Sequence, residues 1–176
     1  VWEGCIEERQ TVASDAFAYV DGDGITPAGA LDLDIDSAPD TSDDSTKWAP
    51  MWPEVAYYRD DAEADFTLYT SSSGPYDKAN SYCPFQSSLL AEWSEDDFDD
   101  YVGDLVARGS TYHDIGLLWG ARLSSPQGIW GDLVSEEPDN GGTVSRHLIF
   151  MTDGELAPSN DIQSTYGVEI NDHRVT

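Results

Sequence analysis

The segment Arg146-His147-Leu148-Ile149-Phe150-Met151-Thr152 constrains this chain more than any other. It is a compact apolar run. A polar loop from Ser135 to Thr143 precedes it, and the turn-forming group Thr152-Asp153-Gly154-Glu155 follows. A short apolar run without alternation predicts a strand buried on both faces, the kind found inside a parallel sheet. Such a strand needs partners, so the rest of the chain is read for what could flank it.

Upstream, the text is helical. Between Ser88 and Val106 the apolar residues Leu89, Leu90, Trp93, Phe98, Tyr101, Val102, Leu105 and Val106 recur mostly at spacings of three and four. That spacing predicts one helix, or two short ones broken near Ser94 to Asp97. Ser94-Glu95-Asp96-Asp97 is an N-terminal signal, because carboxylates favour the positive end of the helix dipole. Gly109 suits the end of that helix. Ser110 or Thr111 suits the cap of the next, and Thr111 with Asp114 fits a capping box. The second helix is expected over about Tyr112 to Leu123, with Ile115, Leu118, Trp119 and Leu123 near one face and Pro126 and Gly128 as its stop. Residues 164–170 are a weaker signal, either a helix start or irregular. Helices, a loop and a buried strand make an α/β pattern. In open α/β sheets ligands bind beyond the carboxyl ends of strands, and Asp153 stands at that place.

The first part of the chain reads differently. Gln10 to Ala13 and Ala16 to Val20 could be short strands. From Asp21 to about Asp65 the chain is loop-like and acidic, interrupted by Trp48, Met51 and Trp52. The region 13–81 is therefore read as an acidic, loop-rich insertion pinned by its tryptophans. Asp21 and Asp23, in Asp21-Gly22-Asp23-Gly24, form a candidate calcium loop, although the 12-residue EF-hand pattern is absent. Eight Lys plus Arg stand against 35 Asp plus Glu, a formal charge of −27. Such a surface repels nucleic acid and anionic lipid and attracts cations or basic partners. Its plain reading is solubility. No stretch reaches the ~20 apolar residues a spanning helix needs. The opening Val1-Trp2 lacks a signal-like pattern, so the chain is expected to be processed or partial, with any membrane anchor outside it. Two cysteines, Cys5 and Cys83, decide little alone. Paired, they would close a long loop, add roughly 4 kcal/mol by the chain-entropy argument, and point to an oxidising compartment. They lack the spacing and neighbouring histidines of a zinc site.

Leu148-Ile149-Phe150-Met151-Thr152-Asp153-Gly154 resembles the strand-TDG signature of von Willebrand factor A-type (vWA) domains. The Gly109-Ser110-Thr111 element with its following helix resembles the threonine loop of that fold. The text around them, Gly109 to Leu123, then Ser125-Pro126, then Arg146-His147, resembles TadG-like proteins of Tad/Flp pilus assembly. So do Trp2 to Arg9 and Cys83-Pro84. The likeness covers about 1–12 and 82–172, with 82–172 the best-matched helix-strand segment.

The resemblance implies a single, partial vWA-type domain over 1–176, an open Rossmann-like sheet flanked by helices. It implies an envelope-associated binding or assembly protein, periplasmic or at the cell surface, anchored to the inner membrane by a segment beyond this chain. Its partners would be other pilus-assembly or surface proteins, with no nucleic acid. It also implies a divalent cation, Mg²⁺ or Ca²⁺, held by Thr111 and Asp153. The family's DxSxS ligands do not occur here. The first strand that carries them is expected upstream of Val1, and the last strand and helix downstream of Thr176. Simpler roles exist for both residues, Thr111 as a helix cap and Asp153 as an Asx-type turn. An enzyme is not expected: the sequence carries no GxSxG, HExxH or phosphate-loop motif, and adjacent pairs such as Glu7-Glu8 and Glu136-Glu137 rarely point the same way. Two further readings stay open, a calcium-stabilised structural surface or filament protein and a carboxylate-based hydrolase.

Overall fold

The structure, a computed structural model, describes residues 2, 4–20, 24–52, 56–58, 67–69, 83–89, 91–152, 154–159, 162–169 and 173–174. Among the described residues, eight short strands and three α-helices are formed. The strands are β1 (Ile6–Glu7), β2 (Ala18–Val20), β3 (Gly24–Thr26), β4 (Ala49–Pro50), β5 (Ala56–Tyr58), β6 (Thr67–Tyr69), β7 (Gln163–Ser164) and β8 (Gly167–Val168). The helices are α1 (Glu95–Asp104), α2 (His113–Ser124) and α3 (Gly131–Val134). The strands pair two by two, all antiparallel: β1 with β4, β2 with β3, β5 with β6 and β7 with β8. The class is therefore mixed helix and small antiparallel sheets. Among the described residues no helix is long and apolar enough to cross a membrane.

The chain divides into two compact units, each assembled from separated segments. The first holds Val1–Glu8, Trp48–Ser110 and Ser159–Thr176. Its N-terminal strand is held on two sides. In the β1–β4 ladder Ile6 stands opposite Pro50 and Glu7 opposite Ala49, and the Met51 N–H donates to the Cys5 carbonyl at 3.0 Å. The Glu8 N–H donates to the Thr165 carbonyl at 2.8 Å, in the turn of the β7–β8 hairpin. That turn closes on Gly167, whose φ of +86° is a left-handed conformation that glycine adopts without a Cβ penalty.

Glu7 and Glu8 are both buried, which demands partners. Neighbours in a strand point to opposite faces, and each finds its own. Glu7 accepts from the Gln163 side-chain amide at 2.9 Å and lies 3.9 Å from Arg174. Glu8 accepts from the Trp48 indole N–H at 2.8 Å, while Arg174 donates to the Glu8 carbonyl at 2.8 Å and covers the Tyr166 ring.

The expected Cys5–Cys83 disulfide is present, with Cα atoms 5.5 Å apart. It sews residues 83–89 to the N-terminus, where the Ser87 N–H donates to the Gly4 carbonyl at 2.9 Å. Gly4 has φ +93°, and a Cβ there would fall 2.3 Å from that of Gln86. Further on, Tyr101 packs edge-on against Phe85 and Trp93, both with ring centroids at 5.0 Å. This anchors α1, which begins where the acidic signal predicts. Ser94 is its N-cap: the Ser94 hydroxyl accepts from the Asp97 N–H at 3.1 Å and donates to its carboxylate at 2.6 Å. Residues 91–94 are not helical, so one helix forms in place of two.

The second unit holds Arg9–Lys47 and Thr111–Pro158. The acidic segment 31–37 opens with a 3-10 turn, Leu31–Leu33, and then wraps two arginines. The Arg9 guanidinium donates to the carbonyls of Ser37, at 2.8 Å, and Asp34, and that of Arg122 donates to the Asp32 carbonyl. Arg122 also covers the Trp119 ring at 5.1 Å, and Trp119 packs against Trp130. Arg9 and Arg122 are the largest fully buried side chains among the described residues. The pin on this part of the acidic region is thus a pair of arginines. Of the tryptophans expected to pin it, Trp48 bonds Glu8 in the first unit and Trp52 is exposed.

Helix α2 runs within one residue of the expected span, and the following 125–130 segment turns at Pro126 and Gly128. The expected buried strand at 146–152 is not formed: these residues join no ladder, and the four apolar side chains are exposed, Ile149 at 80% and Met151 at 85%. The alternation of an extended chain nevertheless shows. Leu148 and Phe150 lie over Gly120 and Gly116 of α2, one turn apart on its surface, and a Cβ at Gly120 would meet Leu148 at 2.8 Å. Ile149 and Met151 point away. A parallel strand is buried only when neighbours pair both of its edges and layers cover both faces. Among the described residues just one face of this run is covered, by α2.

Candidate metal-binding face

Helix α2 begins at the site that the sequence singles out. Thr111 forms an isolated antiparallel bridge with Ala157. The Thr111 N–H donates to the Ala157 carbonyl at 3.1 Å, and the Ala157 N–H donates back at 3.1 Å. The first polar groups ahead of α2 are therefore satisfied by the segment that follows Thr152-Asp153-Gly154. The helix N-cap is Tyr112, whose side chain does not cap the helix. Thr111 is thus neither the N-cap nor a capping-box partner of Asp114. Its side chain is exposed.

One residue on, His113 ties the two segments together again. Its Nε2 lies 3.0 Å from the Thr152 hydroxyl, and its ring packs edge-on against Phe150 with centroids 5.7 Å apart. The Thr152 hydroxyl donates to the Gly154 carbonyl at 3.2 Å and accepts from the Gly154 N–H at 3.3 Å, a tight hydroxyl turn. The structure thus brings the start of α2 beside both flanks of Asp153. Asp153 itself lies outside the described residues, and so do Asp21 and Asp23 of the candidate calcium loop.

The donor set fits a hard cation in kind. Hydroxyl and carboxylate oxygens are the ligands Mg²⁺ and Ca²⁺ take. It does not fit in number. Mg²⁺ needs about six oxygens, and Thr111 with Asp153 offers one hydroxyl and one carboxylate. Among the described residues no group of three or more His, Cys, Asp or Glu is placed to hold a metal ion. A bound ion would have to take the balance from water or from oxygens of another molecule.

Elsewhere in the second unit two carboxylates are committed to local bonds. The Asp40 carboxyl is held below the usual range by the side-chain and backbone hydrogen bonds of Ser42. Asp44 is held low by the hydrogen bond from the Lys47 ammonium and by its charge, at 2.6 Å. Both are fully exposed, so water screens these interactions.

Two residues that organise the second unit were not singled out by the sequence, Arg9 and Arg122, whereas His113, expected from the sequence to be a surface or packing residue, packs on Phe150. A signal existed for the two arginines. In a chain with eight basic residues against 35 acidic ones, each arginine is scarce. Scans of protein-family models, curated proteins and solved structures find nothing that matches this chain.

Proposed function

We propose that the chain is a non-catalytic binding or assembly component of the bacterial cell envelope, of the Tad/Flp pilus or adhesion type, acting through a vWA-type face at the start of α2. One observation carries this reading. The Thr111–Ala157 bridge and the His113–Thr152 contact hold the threonine element and the 152–157 turn side by side at an exposed edge. These are the two elements whose sequence resembles vWA ligand loops, and they are distant in the chain.

Thr111 and Asp153 would hold Mg²⁺ or Ca²⁺ through oxygen atoms. The ion, when bound, supplies an open coordination position for a carboxylate of a surface or pilus-assembly partner. The chain's own contribution is placement. The backbone bridge fixes Thr111, and the hydroxyl turn of Thr152 fixes the approach to Asp153. The Cys5–Cys83 disulfide suits the oxidising periplasm or cell surface.

Thermal melts in Mg²⁺, Mn²⁺, Ca²⁺ and EDTA test the proposal. A site at 100 times its dissociation constant stabilises by about 2.7 kcal/mol. Asp153→Ala and Thr111→Val should each remove the response. If it persists in both variants, the ions bind the acidic loops, and a calcium-stabilised structural role replaces the vWA-type face.

A further inference from the structure

Helix α1, in the first unit, has no buried residue. Tyr101 anchors it through Phe85 and Trp93. Beside Tyr101, Phe98, Val102 and Leu105 recur at spacings of four and three and form one stripe, with Leu105 as the C-cap. They stand 55%, 47% and 51% exposed. The 3.6-residue period puts Glu95 and Asp99 along one border of this stripe and Asp97 and Asp104 along the other. The helix carries no basic residue, and Asp104 sits at the end where the dipole disfavours an anion. Like charges also face each other one turn apart, Glu95 with Asp99, Asp96 with Asp100, and Asp100 with Asp104. The helix thus combines an open apolar stripe with uncompensated negative charge on both sides.

We propose that this face of α1 docks an amphipathic helix of a partner protein, one whose apolar stripe is bordered by Lys and Arg. Such a partner covers Phe98, Val102 and Leu105 and neutralises the carboxylates that destabilise the helix. The sign of the charge chooses among occupants. A second copy would bring a second set of carboxylates against the first. An anionic membrane surface would be repelled in the same way.

The test uses a synthetic helical peptide with leucines spaced by three and four and lysines along both borders. A matched peptide with glutamates for the lysines is the control, and binding is read by fluorescence anisotropy at low and raised salt. The lysine peptide should bind, more weakly as salt rises, and the glutamate peptide should not. Phe98→Ser with Leu105→Ser should weaken binding by about tenfold or more. Asp99→Asn with Asp104→Asn should weaken it while flattening its salt dependence. Ile149→Ser, at a still more exposed apolar position in the other unit, should leave it unchanged. Undiminished binding to the Phe98→Ser/Leu105→Ser protein would overturn the proposal in favour of diffuse polyanion attraction. Equal binding of both peptides would overturn it too, as would self-association of the chain that Phe98→Ser abolishes.

Discussion

Within the second unit, the two arginines wrapped by residues 31–37 and the apolar run 146–152 invert the usual partition. Arg9 and Arg122 are almost wholly buried, while Ile149 and Met151 are almost wholly exposed. The contrast separates what a side chain is from what its neighbours can do for it. A guanidinium offers five donors in a planar fork, and a loop that turns sharply offers several carbonyls in a small volume. Burial is then tolerable, because terminal N–H groups of both guanidiniums replace water with backbone oxygens. An aliphatic run has no such option. It is buried only if another surface arrives, and here α2 covers the Leu148 and Phe150 side alone.

Four substitutions, the last read by titration, probe this contrast. The largest effect should come from Arg122→Ala. It empties a buried site and removes both the cation–π cover of Trp119 and the hydrogen bond to the Asp32 carbonyl, at a cost of about 3 kcal/mol. Urea unfolding measures it. A loss below about 1 kcal/mol would mean that the loop re-solvates freely and that the arginine does not hold it. A smaller effect, about 1 kcal/mol, is expected for Phe150→Ala, whose ring packs on His113 and over Gly116. Ile149→Ser should change stability by less than about 0.5 kcal/mol. If Ile149→Ser costs as much as Phe150→Ala, the outward face of the run is covered after all.

The smallest effect belongs to Asp40 and Asp44. Their carboxyls are depressed below the ordinary range by Ser42 and Lys47. A depressed carboxyl adds stability above its ordinary pKa, and that contribution fades as pH falls through the lowered folded value. Carboxyl NMR titration should show both ionising below the ordinary aspartate range. Ser42→Ala should move Asp40 part of the way back towards the ordinary range, because the backbone N–H bond remains, and leave Asp44 where it is.

The sequence pattern made some of this legible and hid the rest, for definite reasons. Helix α1 and its Ser94 cap were readable because an N-cap and an acidic first turn act locally. Helix α2 was readable to within a residue because its stops are Pro126 and Gly128. The run 146–152 was readable as extended and apolar, yet whether it joins a sheet depends on partners that no local spacing encodes. Thr111 was marked on resemblance, and its bridge to Ala157 could not be foreseen, since an isolated bridge leaves no periodicity. The arginine anchors were missed for the same reason: their acceptors are backbone carbonyls, which every residue carries.

In the function proposed above, the exposed start of α2 and the 152–157 turn form one cation-dependent face. A titration with Mn²⁺ followed by paramagnetic broadening of the amide NMR signals tests it most directly. Broadening should begin at Thr111, Tyr112, Thr152 and Gly154, before the signals of Asp40 to Asp44 are touched, and it should vanish in Asp153→Ala. Broadening that starts in the Asp40 to Asp44 loop, or that survives Asp153→Ala unchanged, would contradict the account.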